Sequence, residues 1–312
     1  MSKRLWEKEL FVHWYERSAV RKSEQVRLLP SVDKLFFSPE LVPVSQHPLL
    51  VERGEETVRK FLVYHLLTYL HFTEHLEHDV INKVAAKLAK KQYALDVPQQ
   101  AQLGAYKLYV DEGYHALFSA DLQFQIRNLL GIELTLTGPP SFLTRLDEKR
   151  SSVSPESRWL VDVFFSIVSE TLISKPLSKI PMDDRVVNAV RNLVADHAVD
   201  EAIHHAYFAG LLAFLWPQLG TREQCLIGSL LPDFIVSFLE PDRTALRANL
   251  VAVGLSLSDA NAAIEDSYPS GNVLSDIRSA TGLTLRHFRN CGVFENKCVA
   301  EAFMAIAPAA AN

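Results

Sequence analysis

Two short strings in this sequence place acids and imidazoles where they could act together: Asp111-Glu112-x-x-His115 and Asp200-Glu201-x-x-His204. A glutamate and a histidine three residues apart stack on adjacent helical turns and aim a carboxylate and an imidazole at one point, a donor set suited to a divalent metal. An acid-acid-x-x-His string arises by chance roughly 0.15 times in a chain of this composition, so two copies sharing the leading aspartate carry information. On a helical wheel, His197, Glu201 and His204 fall in the middle of an apolar stripe formed by Val190, Leu193, Val194, Phe208, Leu211, Leu212 and Leu215. Glu112 and His115 share a stripe with Leu108, Ser119, Leu122 and Ile126. Ionisable groups on a core-facing stripe must be paired, neutral or bound to something.

Two further carboxylates complete the set. Upstream, Glu74 and Glu77 compete with a histidine series, His71, His75 and His78. The apolar face there is Leu62, Leu66, Tyr69, Thr73, Leu76, Val80, Val84 and Leu88; Glu77 lies inside it, Glu74 at its edge, and the histidines point away. Glu77 is therefore the expected ligand. Glu170 lies on the stripe of Val163, Ile167 and Ser174, with no other acid between Asp162 and Asp183. The candidate ligands are thus Glu77, Glu112, His115, Glu170, His197, Glu201 and His204. One Glu from each of two helices, with Glu-x-x-His from each of two others, is the ligand pattern of di-iron or di-manganese carboxylate bundles. Four carboxylates balance two divalent ions, and without metal their burial would cost several kcal/mol per uncompensated charge. Asp111 and Asp200 either face solvent or orient the ligand imidazoles from behind. Tyr69, two turns before Glu77, is a candidate lining residue for a substrate pocket, and Arg278 and Arg286 either meet a substrate carboxylate or, the preferred reading, are surface arginines.

Four long helices must position these side chains. Between Gly54 and about Val97 there is neither proline nor further glycine, which predicts one helix ending at Pro98. A second runs from about Gln99 to Leu130, before the loop Gly138-Pro139-Pro140. Ser154-Pro155-Glu156 opens a third, expected to reach about Ser174, and Pro181-Met182-Asp183-Asp184 a fourth that ends at Trp216-Pro217. Shorter helices are expected near 221–239, 242–254, 258–267 and 294–307. Residues 1–50, with Trp6, Trp14 and prolines at 30, 39, 43 and 48, read as an irregular arm over the core. The whole chain, 1–312, reads as one all-α domain: arm, metal-binding four-helix core at 54–220, and flanking helices at 221–312.

Composition narrows the partners. A net charge of −5 and the lack of any run of five like charges leave no footprint for nucleic acid or anionic lipid. The longest greasy stretch, Tyr207–Leu219, is too short to span a bilayer. Cys225, Cys291 and Cys298 form no C-x-x-C pair and read as reduced thiols of a cytoplasmic protein.

With these residues in place, the chain resembles the para-aminobenzoate N-oxygenase family. The resemblance covers Phe36-Phe37-Ser38-Pro39-Glu40-Leu41-Val42-Pro43 with His47-Pro48, then Glu77, Asp111-Glu112-x-x-His115, Glu170 and His197-x-x-x-Glu201-x-x-His204. His197 is its specific part, a third histidine one turn before the second Glu-x-x-His. The resemblance implies a ferritin-like bundle, two Fe ions per chain and O2-dependent oxidation of an amine to hydroxylamine, nitroso or nitro products. It also implies an external electron donor, protein or small reductant, and a small-molecule or carrier-bound amine as substrate. A specialised biosynthetic role and a homodimeric state are the accompanying expectations. The alternatives left open are C–H hydroxylation or desaturation by a di-metal bundle, and a non-catalytic metal-binding or structural bundle.

Overall fold

The computed structural model describes residues 10–29, 33–93, 95–135, 138–172, 175–304 and 306. Trp6, Pro30 and Ser174 lie outside them. The described residues form helices joined by turns and irregular segments such as 23–29, with a single isolated parallel bridge between Leu35 and Val186. The main helices are α1 (Glu55–Leu76), α2 (Asn82–Ala89), α3 (Gln99–Leu130), α4 (Ser141–Ser152), α5 (Arg158–Thr171) and α6 (Asn188–Leu215). Behind them come α7 (Thr221–Gly228), α8 (Leu231–Leu239), α9 (Arg243–Ala252), α10 (Leu257–Ser267), α11 (Ser270–Ala280), α12 (Gly282–Asn290) and α13 (Lys297–Phe303).

The bundle that carries the site is α1–α2, α3, α5 and α6, with α3 packed along α1 and α2, and α6 along α5. This is the all-α, ferritin-like architecture expected from the sequence. Gly54, at φ 100°, starts α1 from a conformation that only glycine adopts cheaply, and Glu55 and Glu56 then meet the positive helix end. Between α1 and α2 the helix widens into a π-helical turn, Glu77–Ile81. Such turns insert one residue into the α-helical ladder and often mark functional positions.

Several boundaries differ from the sequence expectation. The first long helix stops at Ala89, because Lys91 takes a left-handed conformation (φ 51°) well before Pro98. The fourth starts at Asn188; residues 183–187 are instead tied to the arm, Leu35 N donating to Arg185 O (2.8 Å) and Val187 N to Leu35 O (2.9 Å). Helices α4, α11 and α12 were not foreseen, and 221–239 is two helices rather than one. Cys225 and Cys298 are joined in a disulfide, which corrects the expectation of three reduced thiols; only Cys291 is free. Their 73-residue separation hid the pair, since only the packing of α13 on α7 brings them together.

The buried apolar side chains form two clusters. One holds Leu62, Leu66, Leu70, Phe118, Leu122, Val190 and Val194; the other holds Val80, Val84, Leu88, Leu108, Val163, Ile167, Phe208 and Leu212. The helices cross from one to the other at Glu77, Glu112–His115, Glu170 and His197–His204, so every expected ligand lies in the polar layer between two greasy ones.

Candidate metal centre

All seven expected ligands converge. Glu112, His115, Glu201 and His204 present donor atoms within 4.8 Å of one another; so do Glu77, His197 and Glu201, and so do Glu77, Glu112 and Glu170. Six of the seven are at most 5% exposed, and the Glu201 side chain is 18% exposed. Glu77, Glu112 and Glu201 each belong to two of these groups, which is the arrangement two neighbouring ions would need. His115 Nδ1 lies 2.8 Å from Glu112 Oε2, and His204 Nδ1 lies 2.8 Å from Glu112 Oε1 and 3.3 Å from Glu201 Oε1. His197 approaches from the side, its Nε2 3.0 Å from Glu201 Oε1 and 3.6 Å from Glu77 Oε1.

The two aspartates sit behind the imidazoles in a crossed arrangement. Asp111 of α3 accepts from Nε2 of His204 on α6 (3.3 Å), while Asp200 of α6 accepts from Nε2 of His115 on α3 (3.2 Å). Each Nδ1 is thereby turned toward the carboxylates, and each tautomer is fixed by its partner helix. The arm closes this layer from outside. Trp14 Nε1 donates to Asp111 (2.8 Å), Ser18 Oγ donates to Asp111 Oδ1 (2.5 Å), and the Ala19 amide donates to Asp200 Oδ2 (3.1 Å). The sequence patterns do not single out Trp14, Ser18 and Ala19 as site residues; the signal available was the tryptophan itself, in an arm that also carries Phe11, Val12 and Tyr15.

The remaining sequence candidates sort cleanly. Glu74 stays outside the layer and accepts from Gln123 Nε2 (2.8 Å). His75 and His78 pair with Asp79 at the surface, and His71 reaches the Gly138 carbonyl. Tyr69 lines a cavity of about 380 Å³ that opens onto Glu77, Glu170, His197 and Glu201. Phe72, Thr73, Leu76, Leu172, Phe238, Tyr268 and Ile277 form its walls, and Glu40 and Asp276 lie among its exposed lining residues. Arg278 and Arg286 are exposed and are not among the residues lining it.

Electrostatics show how unsettled the layer is as a purely organic assembly. Burial, together with the neighbouring carboxylates, pushes Glu77 and Glu170 well above the usual carboxylate range. Burial acts the same way on Glu112, yet His204 and His115 hold it down at about 2; contacts to His197 and His204 likewise hold Glu201 low. Burial opposes protonation of His115, but its bonds to Asp200 and Glu112 raise it to about 9. His204 is raised for the same reason by Glu112 and Asp111, whereas burial and the adjacent His115 lower His197. Glu77 Oε2 and Glu170 Oε2 are buried with no hydrogen-bond partner, although buried carboxylate oxygens almost always have one. Hard oxygen donors left open beside three imidazoles fit metal ions.

A profile of the P-aminobenzoate N-oxygenase AurF family matches residues 7–281. The chain belongs to this family. The match runs from the arm that covers Asp111 and Asp200 to the start of α12, and so takes in every residue of the metal layer and the cavity beside it. Family membership makes the chain an N-oxygenase by kind, and the carboxylate–histidine layer is its possible metal site.

Proposed function

We propose that this chain is a di-iron enzyme that uses O2 to oxidise an amine nitrogen. Glu112 and His115 would hold one ion with Glu77, and Glu201 and His204 the other with Glu170, while His197 adds a third imidazole. Two iron ions bound there would supply the O2 chemistry, one oxygen atom passing to nitrogen and the other leaving as water, with two electrons and two protons delivered by an external donor. The observation that carries this reading is the pair of partnerless buried oxygens on Glu77 and Glu170 within the family's frame. The chain's own contribution is positional. Asp111 and Asp200 keep the His204 and His115 rings from turning, and the two apolar layers keep bulk water from the reacting nitrogen.

The cavity supports an amine with a largely apolar body. Its walls are aromatic and aliphatic, and among the described lining residues there is neither lysine nor arginine to meet an anionic group; the carboxylate of Glu40 is itself matched by Arg185 (2.9 and 2.6 Å). Carboxylate-free aryl amines should therefore be oxidised in preference to para-aminobenzoate. A role in specialised biosynthesis accompanies this reading; no helix among the described residues is long and apolar enough to cross a membrane.

The test is anaerobic loading with Fe(II), metal analysis, then exposure to O2 and a chemical reductant with a panel of amines, following hydroxylamine and nitro products by mass spectrometry. Two irons per chain and an N-oxidised product are the expected result. Metal content of zero or one, or product oxidised only at carbon, overturns the reading.

A further inference from the structure

Outside the metal layer, two imidazoles face each other across two helices. His205 follows the ligand His204 on α6, and His287 lies on α12, 82 residues later; their Nε2 atoms stand 3.0 Å apart. The ring centroids are 5.1 Å apart and the planes are inclined by 58°, so the rings meet through their nitrogens rather than their faces. Both side chains are half-buried and within reach of solvent. Neither belongs to a donor group of the layer, and His287 lies beyond residue 281, where the family match ends. We infer that His205 and His287 chelate one divalent cation of the zinc kind, at a site separate from the carboxylate–histidine layer.

Distance is the first support. With metal–nitrogen bonds of about 2.0–2.1 Å, two imidazoles on one ion hold their nitrogens about 2.9–3.4 Å apart, from right-angled to tetrahedral geometry. The observed 3.0 Å falls in that interval. Orientation is the second. His205 also hydrogen-bonds to the backbone of Glu170. An imidazole that gives its proton to a carbonyl presents its other nitrogen as a lone pair, the usual arrangement of a metal-bound histidine. Charge is balanced around the pair: the Glu201 carboxylate, one turn before His205, offsets the guanidinium of Arg286 beside His287. Two nitrogens without a carboxylate suit zinc, nickel or copper better than they suit the ions of an oxygen-rich layer, and water fills the remaining positions. A bound ion would tie α12 to α6. It would act beside Thr284 Oγ1, which donates to the Thr171 carbonyl at the end of α5 (2.8 Å). The preceding helix, α11, supplies Val273, Ile277 and Ala280 to the cavity wall, so the ion would anchor the chain just where that wall ends.

Equilibrium dialysis of the full chain against micromolar Zn(II), followed by metal analysis, tests this, once after anaerobic loading with Fe(II) and once without it. Under both conditions wild type should retain one zinc ion per chain more than His287→Ala, with the same far-ultraviolet circular dichroism and the same iron content. The variant's affinity for that ion should fall by more than roughly a hundredfold, since loss of even an outer partner of a metal site costs about tenfold to a hundredfold. Anomalous scattering at the zinc edge from wild-type crystals should place the ion between His205 Nε2 and His287 Nε2, and this decides the matter if the variant does not fold. Equal zinc retention by wild type and a folded variant, retention only at millimolar zinc, or zinc confined to the carboxylate–histidine layer overturns the assignment. A chain that takes up no iron yet holds this zinc supports it and overturns only the di-iron reading.

Discussion

His197 is the side chain whose role is separable from holding metal. It is buried, its proton affinity is lowered, and it touches Glu201 and Glu77 from one side, whereas His115 and His204 each stand between a carboxylate and a positioning aspartate. A neutral third imidazole adds a donor without adding charge. His197→Ala should keep its fold and most of its iron while losing amine oxidation by at least tenfold. Iron content and product yield, measured on the same preparation, check this, and loss of both metals would make His197 a primary anchor instead. Glu77→Ala should bind about one iron fewer than wild type, whereas Glu74→Ala, which breaks only a bond to Gln123, should keep both. On Asp111, exchanging Trp14 for Phe and Ser18 for Ala removes its indole and hydroxyl donors and leaves a buried carboxylate with His204 alone. That change should cost about 1–3 kcal/mol in chemical denaturation.

At the scale of elements, one of the places at which the arm is held is sensitive to acid. Asp183, just before α6, accepts from Ser38 Oγ (2.6 Å) and from the Arg185 side chain (2.9 Å), and these bonds hold its carboxyl below the ordinary 3.8. A carboxyl lowered in the folded state stabilises fully above its unfolded value, and that stabilisation is lost as pH falls below 3.8 toward the depressed one. Asp183→Asn should therefore be less stable than wild type at pH 7, by about 1–3 kcal/mol, and the gap should narrow below pH 3.8 in urea melts. Helical periodicity made the seven inward residues legible because burial on one helix repeats along its own sequence. It carried no trace of the Ser38–Asp183 bond, of Trp14 on Asp111, or of the Cys225–Cys298 pair. Each of those joins segments whose meeting is decided by packing, not by local pattern. Lys91 shows the same limit at a boundary: a good helix former ends the helix because the turn to α3 requires it to leave helical space.

For the whole molecule, the polar layer sets a stability that depends on metal. Ligands bind ions only when deprotonated, and ions bound only by the folded chain stabilise it by about 2.7 kcal/mol at one hundred times Kd. Loading with Fe(II) or Mn(II) should raise the melting temperature by several degrees in scanning calorimetry, and chelation should reverse it. Glu112→Ala, which removes a carboxylate shared by two of the donor groups, should lose that response. Both apolar clusters should tighten together, since the layer touches each.

The widened turn at Glu77–Ile81 bears on how this chain can change. It acts as a one-residue insertion in an otherwise continuous rod. Closing that turn to plain α-helix with every residue kept would rotate everything on one side by about 100° against everything on the other. Leu62 and Leu66 are seated in one apolar cluster and Val84 and Leu88 in the other, so both ends cannot stay in place after such a rotation. Glu77 stands at the hinge of that choice. A helix closed there would have to expel either half a core or its first carboxylate, which makes the widened turn as much a part of the site as the side chains that point into it.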